Sequence, residues 1–121
     1  MARILLAEDD DDMRRFLVKA LERAGYQVSD FDNGASAYER LREEPFSLLL
    51  TDIVMPEMDG IEMAVAAAAL FPAMKIMLMT GYADQRERAE ELNGIILDVV
   101  QKPFTLAEIR SRVERALICF A

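Results

Sequence analysis

Short apolar runs alternate along this chain with longer segments of helical period. Residues 4–7 are apolar at every position, as in a strand buried on both faces. Residues 12–24 repeat apolar side chains at intervals of three and four, as in a helix with one buried face. Because this pair of patterns occurs five times, we predict an α/β protein with a doubly wound, five-stranded parallel sheet and helices on both faces.

The predicted elements begin and end at capping and turn residues. Asp11 or Asp12 is the predicted N-cap of the first helix, and Gly25 follows its end. Thr105 and Glu108 have the spacing of a capping box at the start of the last helix. The predicted strands are residues 4–7, 26–31, 46–51, 75–79 and 95–101, and the predicted helices are residues 12–24, 35–44, 61–70, 84–92 and 105 onward.

Composition excludes several classes of protein. The 121 residues, 53% of them hydrophobic, fit one domain whose core needs no metal or disulfide. A single cysteine, Cys119, and the absence of histidine exclude an intramolecular disulfide, zinc sites with histidine ligands and Ser-His triads. A net charge of −8 without a cluster of Lys and Arg argues against a nucleic acid partner. With neither a signal peptide nor an apolar run long enough to span a bilayer, we expect a cytoplasmic protein without membrane contact.

Polar residues directly follow four of the predicted strands. Glu8 and Asp9 follow the first, Asp52 the third, Thr80 the fourth and Lys102 the fifth. The carboxyl ends of parallel strands share one edge of a sheet, so these side chains are expected to converge. Three carboxylates repel one another unless a cation lies among them, and oxygen ligands suit Mg²⁺. An ammonium and a hydroxyl suit phosphoryl oxygens, so the pattern predicts a site for Mg²⁺ and a phosphoryl group.

These residues lie in four motifs that resemble the receiver domain of bacterial two-component response regulators. In chain order the motifs are E-D at Glu8, T-D-I-V-M-P-E-M-D-G around Asp52, T-G at Thr80 and K-P-F at Lys102. The resemblance covers the whole chain and implies the flavodoxin-like (βα)5 receiver fold, with strand order 2-1-3-4-5. It also implies a single receiver domain over residues 1–121, with no output domain.

The resemblance gives the acidic residues distinct roles. It implies that Asp52 is the phosphoacceptor in a phosphorelay and takes its phosphoryl group from a phosphohistidine on a histidine kinase or histidine phosphotransferase. It implies that Mg²⁺ is the cofactor. The ligands would be Asp9, Asp52 and the backbone carbonyl of Val54, with Glu8 acting through water.

The resemblance also implies how phosphorylation is sensed. Thr80 and Lys102 would contact the phosphoryl oxygens, and the Lys102–Pro103 peptide bond would be cis. The chain departs from the family at Val99, where most receivers carry a Tyr or Phe whose rotamer follows the phosphorylated state. Valine has no ring to swing inward, so among the switch positions Thr80, Tyr82 and Val99 we expect Tyr82 to report the movement of the loop.

The output of a stand-alone receiver is contact with another protein. In the family the surface for that contact is formed by the fourth helix, fifth strand and fifth helix, here residues 84–119. The segments M-R-R-F-L and L-L-L-T-D-I-V-M-P-E-M-D-G-I-E are similar to those of a stand-alone receiver that regulates the cell cycle by licensing substrate delivery to the ClpXP protease. ClpXP is therefore the expected output partner.

Two other functions use parts of the same pattern. A Mg²⁺-dependent phosphatase of the haloacid dehalogenase kind works through an aspartyl-phosphate, but it carries a second Asp two residues after the nucleophile, where this chain has Val54. A flavin-binding domain needs a phosphate-cradling loop after the first strand, and acids there would repel the phosphate. We therefore favour a signalling protein that is not an enzyme beyond promoting its own phosphorylation and dephosphorylation, with the phosphatase as the alternative.

Overall fold

The structure, a computed structural model, describes residues 2–92 and 94–118. Its strands are β1 (Arg3–Ala7), β2 (Gln27–Phe31), β3 (Leu48–Asp52), β4 (Lys75–Thr80) and β5 (Asp98–Gln101). Its helices are α1 (Asp11–Arg23), α2 (Gly34–Glu43), α3 (Gly60–Leu70), α4 (Ala83–Glu90) and α5 (Leu106–Ile118). Cys119, the last position of the expected output surface, lies outside the described residues. Within the described part of the chain, no helix has the length and apolar character needed to cross a bilayer.

The five strands form one parallel sheet in the order β2-β1-β3-β4-β5. The chain places β2 on one side of β1 and then crosses to the other side for β3, so the strand order reverses between β1 and β3. In open sheets of this kind, ligands bind beyond the carboxyl ends of the strands at such a reversal. The predicted fold class and strand order are confirmed.

Alternation along the strands divides the core into two clusters, one on each face of the sheet. Leu5 and Leu49 pack with residues of α2, α3 and α4, whereas Leu6 and Leu50 pack with residues of α1 and α5. Side chains of a strand point alternately to opposite faces, so a strand covered on both sides is buried at every position and apolar over most of its length. This explains why all five residues of β3 are buried.

The first helix begins one residue earlier than predicted. Its N-cap is Asp10, whose carboxylate accepts a hydrogen bond from the Met13 N–H at 3.0 Å, so the prediction of Asp11 or Asp12 was wrong. The extended backbone of Asp10 places its side chain over the open end of the helix, and Asp11 already belongs to the first turn. At the other end Gly25 has a φ of +99°, which confirms the predicted glycine after the helix.

The fifth strand is shorter than predicted, and the helix after it begins as predicted. Ile95 lies in a turn, and the N–H groups of Ile95 and Ile96 donate to the Leu92 carbonyl at 2.8 and 3.0 Å, so the predicted start of the strand at residue 95 was wrong. The capping box is confirmed. The Thr105 hydroxyl accepts from the Glu108 N–H at 3.1 Å, and the Glu108 carboxylate accepts from the Thr105 N–H at 3.2 Å.

Candidate functional site

The polar residues that follow the strands converge at one edge of the sheet. All of them except Thr80 line an open cleft of about 510 Å³ beside the reversal of strand order. The residues that line it are Glu8, Asp9, Asp10, Asp52, Val54, Gly81, Tyr82 and Lys102. The cleft thus joins the loop after β1 with those after β3, β4 and β5.

Three carboxylates in this cleft lie close enough to share a cation. Each of these residues, Glu8, Asp9 and Asp52, has one carboxylate oxygen within 4.8 Å of an oxygen of the other two. Glu8 is fully buried, Asp52 is 8% exposed, and Asp9 is exposed to solvent. An all-oxygen donor set with one side open to water fits Mg²⁺, which retains several waters when bound.

The side chain of Lys102 bridges two of these carboxylates. Its Nζ lies 2.6 Å from Glu8 Oε1 and 2.8 Å from Asp52 Oδ2, so the end of β5 is tied to the ends of β1 and β3. The peptide bond between Lys102 and Pro103 is cis. The ammonium therefore already lies where a phosphoryl group on Asp52 would need a positive charge.

The balance of charge in the cleft leaves room for a further cation. Burial raises the pKa of the Glu8 carboxyl, Lys102 opposes that rise, and the nearby charge of Asp52 adds to it. Burial by itself lowers the pKa of Lys102, but its hydrogen bonds to Asp52 and Glu8 outweigh burial and raise it. Because one ammonium lies among three carboxylates, a further cation near them would be favourable.

Thr80 is a predicted site residue whose hydroxyl is bonded to the backbone of the loop after β4. It is fully buried at the end of β4, and its Oγ1 accepts from the Tyr82 N–H at 3.0 Å and donates to the Tyr82 carbonyl at 3.2 Å. The next two residues, Gly81 and Tyr82, line the cleft, and Tyr82 is 60% exposed. Val99 lies partly buried against the core on the α2, α3 and α4 face.

Gly60 is a site residue that the sequence patterns did not identify. A Cβ at this position would lie 2.2 Å from the backbone oxygen of Asp52. The Gly60 N–H donates to the Ile53 carbonyl at 2.8 Å, so the start of α3 packs directly on the backbone of the candidate phosphoacceptor. Only a residue without a side chain allows this approach. The G of M-D-G was the available signal, but a sequence does not show which backbone a glycine approaches.

The fold and the acidic cleft define a receiver domain. The chain belongs to the response regulator receiver domain family, whose model matches residues 4–114. It is 61% identical over 118 residues to the response regulator receiver protein CpdR of Brucella abortus (strain 2308), covering 98% of each chain. It is also 36% identical over 114 residues to the transcriptional regulatory protein ZraR of Escherichia coli K12, covering 93% of this chain and 26% of that protein.

Solved receiver structures have the same fold. A CheY-like receiver domain protein from Methanospirillum hungatei matches with a TM-score of 0.90 and 29% identity, covering 97% of this chain and 94% of that one. The response regulator protein TrrA from Thermotoga maritima, in complex with Mg²⁺ and BeF, matches with a TM-score of 0.88 and 28% identity, covering 97% of this chain and all of that one. Both likenesses agree with the strand order of this sheet.

Family membership confirms the resemblance seen in the motifs. The chain is a receiver domain of two-component signalling, and proteins of this family work with histidine kinases or phosphotransfer proteins. Its similarity to CpdR extends over almost the whole of both chains, so it resembles a stand-alone receiver protein. Both comparisons support a signalling role.

Proposed function

We propose that this protein accepts one phosphoryl group on Asp52 from a phosphohistidine of a partner, with Mg²⁺ as cofactor, and signals in the cytoplasm by protein-protein contact. The observation that supports this most directly is the position of Lys102, which contacts Asp52 at 2.8 Å beside a carboxylate cluster that fits a divalent cation. A nucleophile, a fixed positive charge and a metal site in one open cleft are the parts that phosphoryl transfer needs.

The chemistry assigned to the cleft is transfer of a phosphoryl group between two side chains. A carboxylate oxygen of Asp52 attacks phosphorus as the N–P bond of the phosphohistidine breaks, and the bonding electrons return to the imidazole. Lys102 compensates the charge that the phosphoryl oxygens bring beside Asp52. Asp9, Asp52 and the carbonyl of Val54 would hold Mg²⁺, with Glu8 acting through water, and the cation supplies further neutralisation of the phosphoryl oxygens.

The loop after β4 is the proposed switch. The Thr80 hydroxyl is bonded to Tyr82 backbone atoms, and it would exchange those bonds for one to a phosphoryl oxygen on Asp52. That exchange draws Gly81 and Tyr82 toward the cleft they already line. The loop leads directly into α4, so its movement passes to that helix.

The proposed output surface comprises α4, β5 and α5. Ala89 is the buried residue of α4, whereas Ile109, Val113 and Ala116 anchor α5. A helix with one small buried side chain shifts at low cost in free energy. The proposed output partner is ClpXP, on the strength of the motifs shared with a regulator of that protease and the 61% identity to CpdR.

Phosphoryl uptake tests the proposed function. The wild-type protein is incubated with acetyl phosphate, with and without Mg²⁺, and its intact mass is measured. We expect one phosphoryl group to be added only when Mg²⁺ is present, because the acidic cleft otherwise repels the donor. Unchanged mass under both conditions would refute the proposal. Repeated release of phosphate from phosphomonoesters would favour the phosphatase alternative.

Thr80→Ala is expected to uncouple partner binding from phosphorylation. Beryllofluoride is a stable mimic of the phosphoryl group. The ratio of the wild-type affinity for ClpXP without beryllofluoride to that with it should be about 5- to 150-fold, the usual range of coupling between two sites. In Thr80→Ala this ratio should fall toward one while Asp52 still accepts phosphate. Binding assays with both forms of each protein measure the ratio. Val99→Ala is the matched control, since it removes apolar packing and should lower stability while preserving the ratio.

A further inference from the structure

Arg14 joins three segments beside the acidic cleft. Its Nη1 donates to the Glu8 backbone carbonyl at 2.9 Å, its Nη2 to Asp11 at 2.7 Å and its Nε to Asp30 at 3.2 Å. These acceptors belong to the residue directly after β1, the first turn of α1 and strand β2. The Arg14 side chain is only 16% exposed, so the contacts are held within the fold.

The carbonyl that Arg14 contacts belongs to the peptide unit between Glu8 and Asp9. A peptide unit is planar, so fixing its oxygen fixes the directions in which the chain enters and leaves it. The Glu8 N–H is held as well, donating to the Phe31 carbonyl at 3.0 Å. With both backbone groups of Glu8 bonded, the backbone that carries the acidic pair is held by contacts outside the carboxylate cluster.

We infer that Arg14 is a positioning residue of the metal site, which it serves by holding the Glu8–Asp9 peptide unit so that both carboxylates face the Mg²⁺ position. This role rests on the proposed function, because it concerns the affinity of the cleft for Mg²⁺. Residues that hydrogen-bond to metal ligands without contacting the metal affect metal affinity strongly, with losses of 10- to 100-fold when they are replaced.

The geometry of the contacts requires arginine and not merely a positive charge. The guanidinium is a rigid planar fork whose donors point to several acceptors at once, whereas the lysine ammonium is a point charge on a flexible stem. The three acceptors of Arg14 lie on three separate segments. A lysine at this position would keep the charge near Asp11 and Asp30 without holding the Glu8 carbonyl at the same time.

The chain offers two matched controls for Arg14. Arg15 forms an equivalent pair one residue later, with Asp12 at 2.6 Å, but its side chain is 67% exposed. Arg3 ties the opposite end of β1 to the loop after α2, through Glu44 at 2.5 Å and the Pro45 carbonyl at 3.1 Å. Arg15→Gln therefore removes a similar charge, and Arg3→Gln removes a similar set of contacts between separate segments. Neither change affects a contact of the acidic pair.

The test is the dissociation constant of Mg²⁺, measured by isothermal titration calorimetry on the full chain, together with phosphoryl uptake from acetyl phosphate. We expect Arg14→Gln and Arg14→Lys each to raise the dissociation constant about 10-fold or more. Arg15→Gln and Arg3→Gln should leave it unchanged. At saturating Mg²⁺ both Arg14 variants should recover wild-type phosphoryl uptake, which separates positioning of the metal ligands from a general loss of structure.

The outcomes separate the role of Arg14 from the proposed function. Wild-type affinity in both Arg14 variants, or in Arg14→Lys alone, would overturn the role of the guanidinium fork while leaving the proposed function intact. An equal loss of affinity in Arg3→Gln would overturn it too, since the effect would then follow fold stability. Absence of Mg²⁺ binding by the wild-type protein would overturn the proposed function and this inference together.

Discussion

Replacing Asp52 by asparagine is expected to abolish phosphoryl uptake from acetyl phosphate, with no gain in mass at any Mg²⁺ concentration. The amide has the shape of the carboxylate and can still accept a hydrogen bond from Lys102, but it lacks the nucleophilic oxygen that forms the acyl phosphate. The other carboxylates are less suited. Glu8 is fully buried and bonded to Lys102 at 2.6 Å, and Asp9 is exposed to water.

The matched control for Asp52→Asn is Asp10→Asn. Asp10 also lines the cleft, and asparagine is as good an N-cap as aspartate, so this change removes a nearby charge without weakening α1. Phosphoryl uptake should persist in Asp10→Asn. If Asp52→Asn still gained mass at the wild-type rate, the nucleophile would lie elsewhere and the proposed function would be wrong.

Gly60→Ala is expected to lower the free energy of unfolding by about 3 kcal/mol, near the upper end of the usual cost of overpacking. Its Cβ would meet the backbone oxygen of Asp52 at 2.2 Å, and backbone atoms cannot rotate aside as a side chain can. The start of α3 must therefore move away from the end of β3, or Asp52 must shift. Denaturant titration measures the loss of stability, and phosphoryl uptake measures the disturbance of the site.

Gly81→Ala is the matched control for Gly60→Ala. Gly81 also lies beside the cleft, but in the described part of the chain a Cβ added there would meet no atom within 4 Å apart from its two chain neighbours. The free energy of unfolding of Gly81→Ala should stay within about 0.5 kcal/mol of the wild-type value, as for most surface substitutions. Equal stability of the two variants would show that the close approach of α3 to Asp52 is not a constraint on the fold.

The fold was predictable because its elements carry strong local signals. A strand covered on both faces is apolar over most of its length, as residues 4–7 of β1 and residues 48–50 of β3 are, and the capping box at Thr105 depends on contacts within one turn. The convergence of Glu8, Asp52 and Lys102 followed from topology, because parallel strands end at one edge. Residues far apart in the sequence were thus placed together correctly without any knowledge of distance.

Features set by long-range contacts were not predictable. The pattern favoured a strand from Ile95, but hydrogen bonds to Leu92 hold that segment in turns until the ladder with β4 begins. The pair between Arg14 and Asp11 has helical spacing, whereas the bond from Arg14 to Asp30 depends on where β2 lies. Gly60 reads in the sequence as a loop residue, and its close approach to Asp52 exists only after α3 docks.

The unequal anchoring of α4 and α5 determines what a partner can sense. One buried alanine holds α4, whereas three buried residues hold α5 against the opposite face of the sheet. In the proposed switch, a displacement that starts in the loop after β4 would therefore move α4 while α5 stays fixed to its own cluster. A protein that contacts both helices would then detect a change in the distance between them, with α5 as the fixed reference.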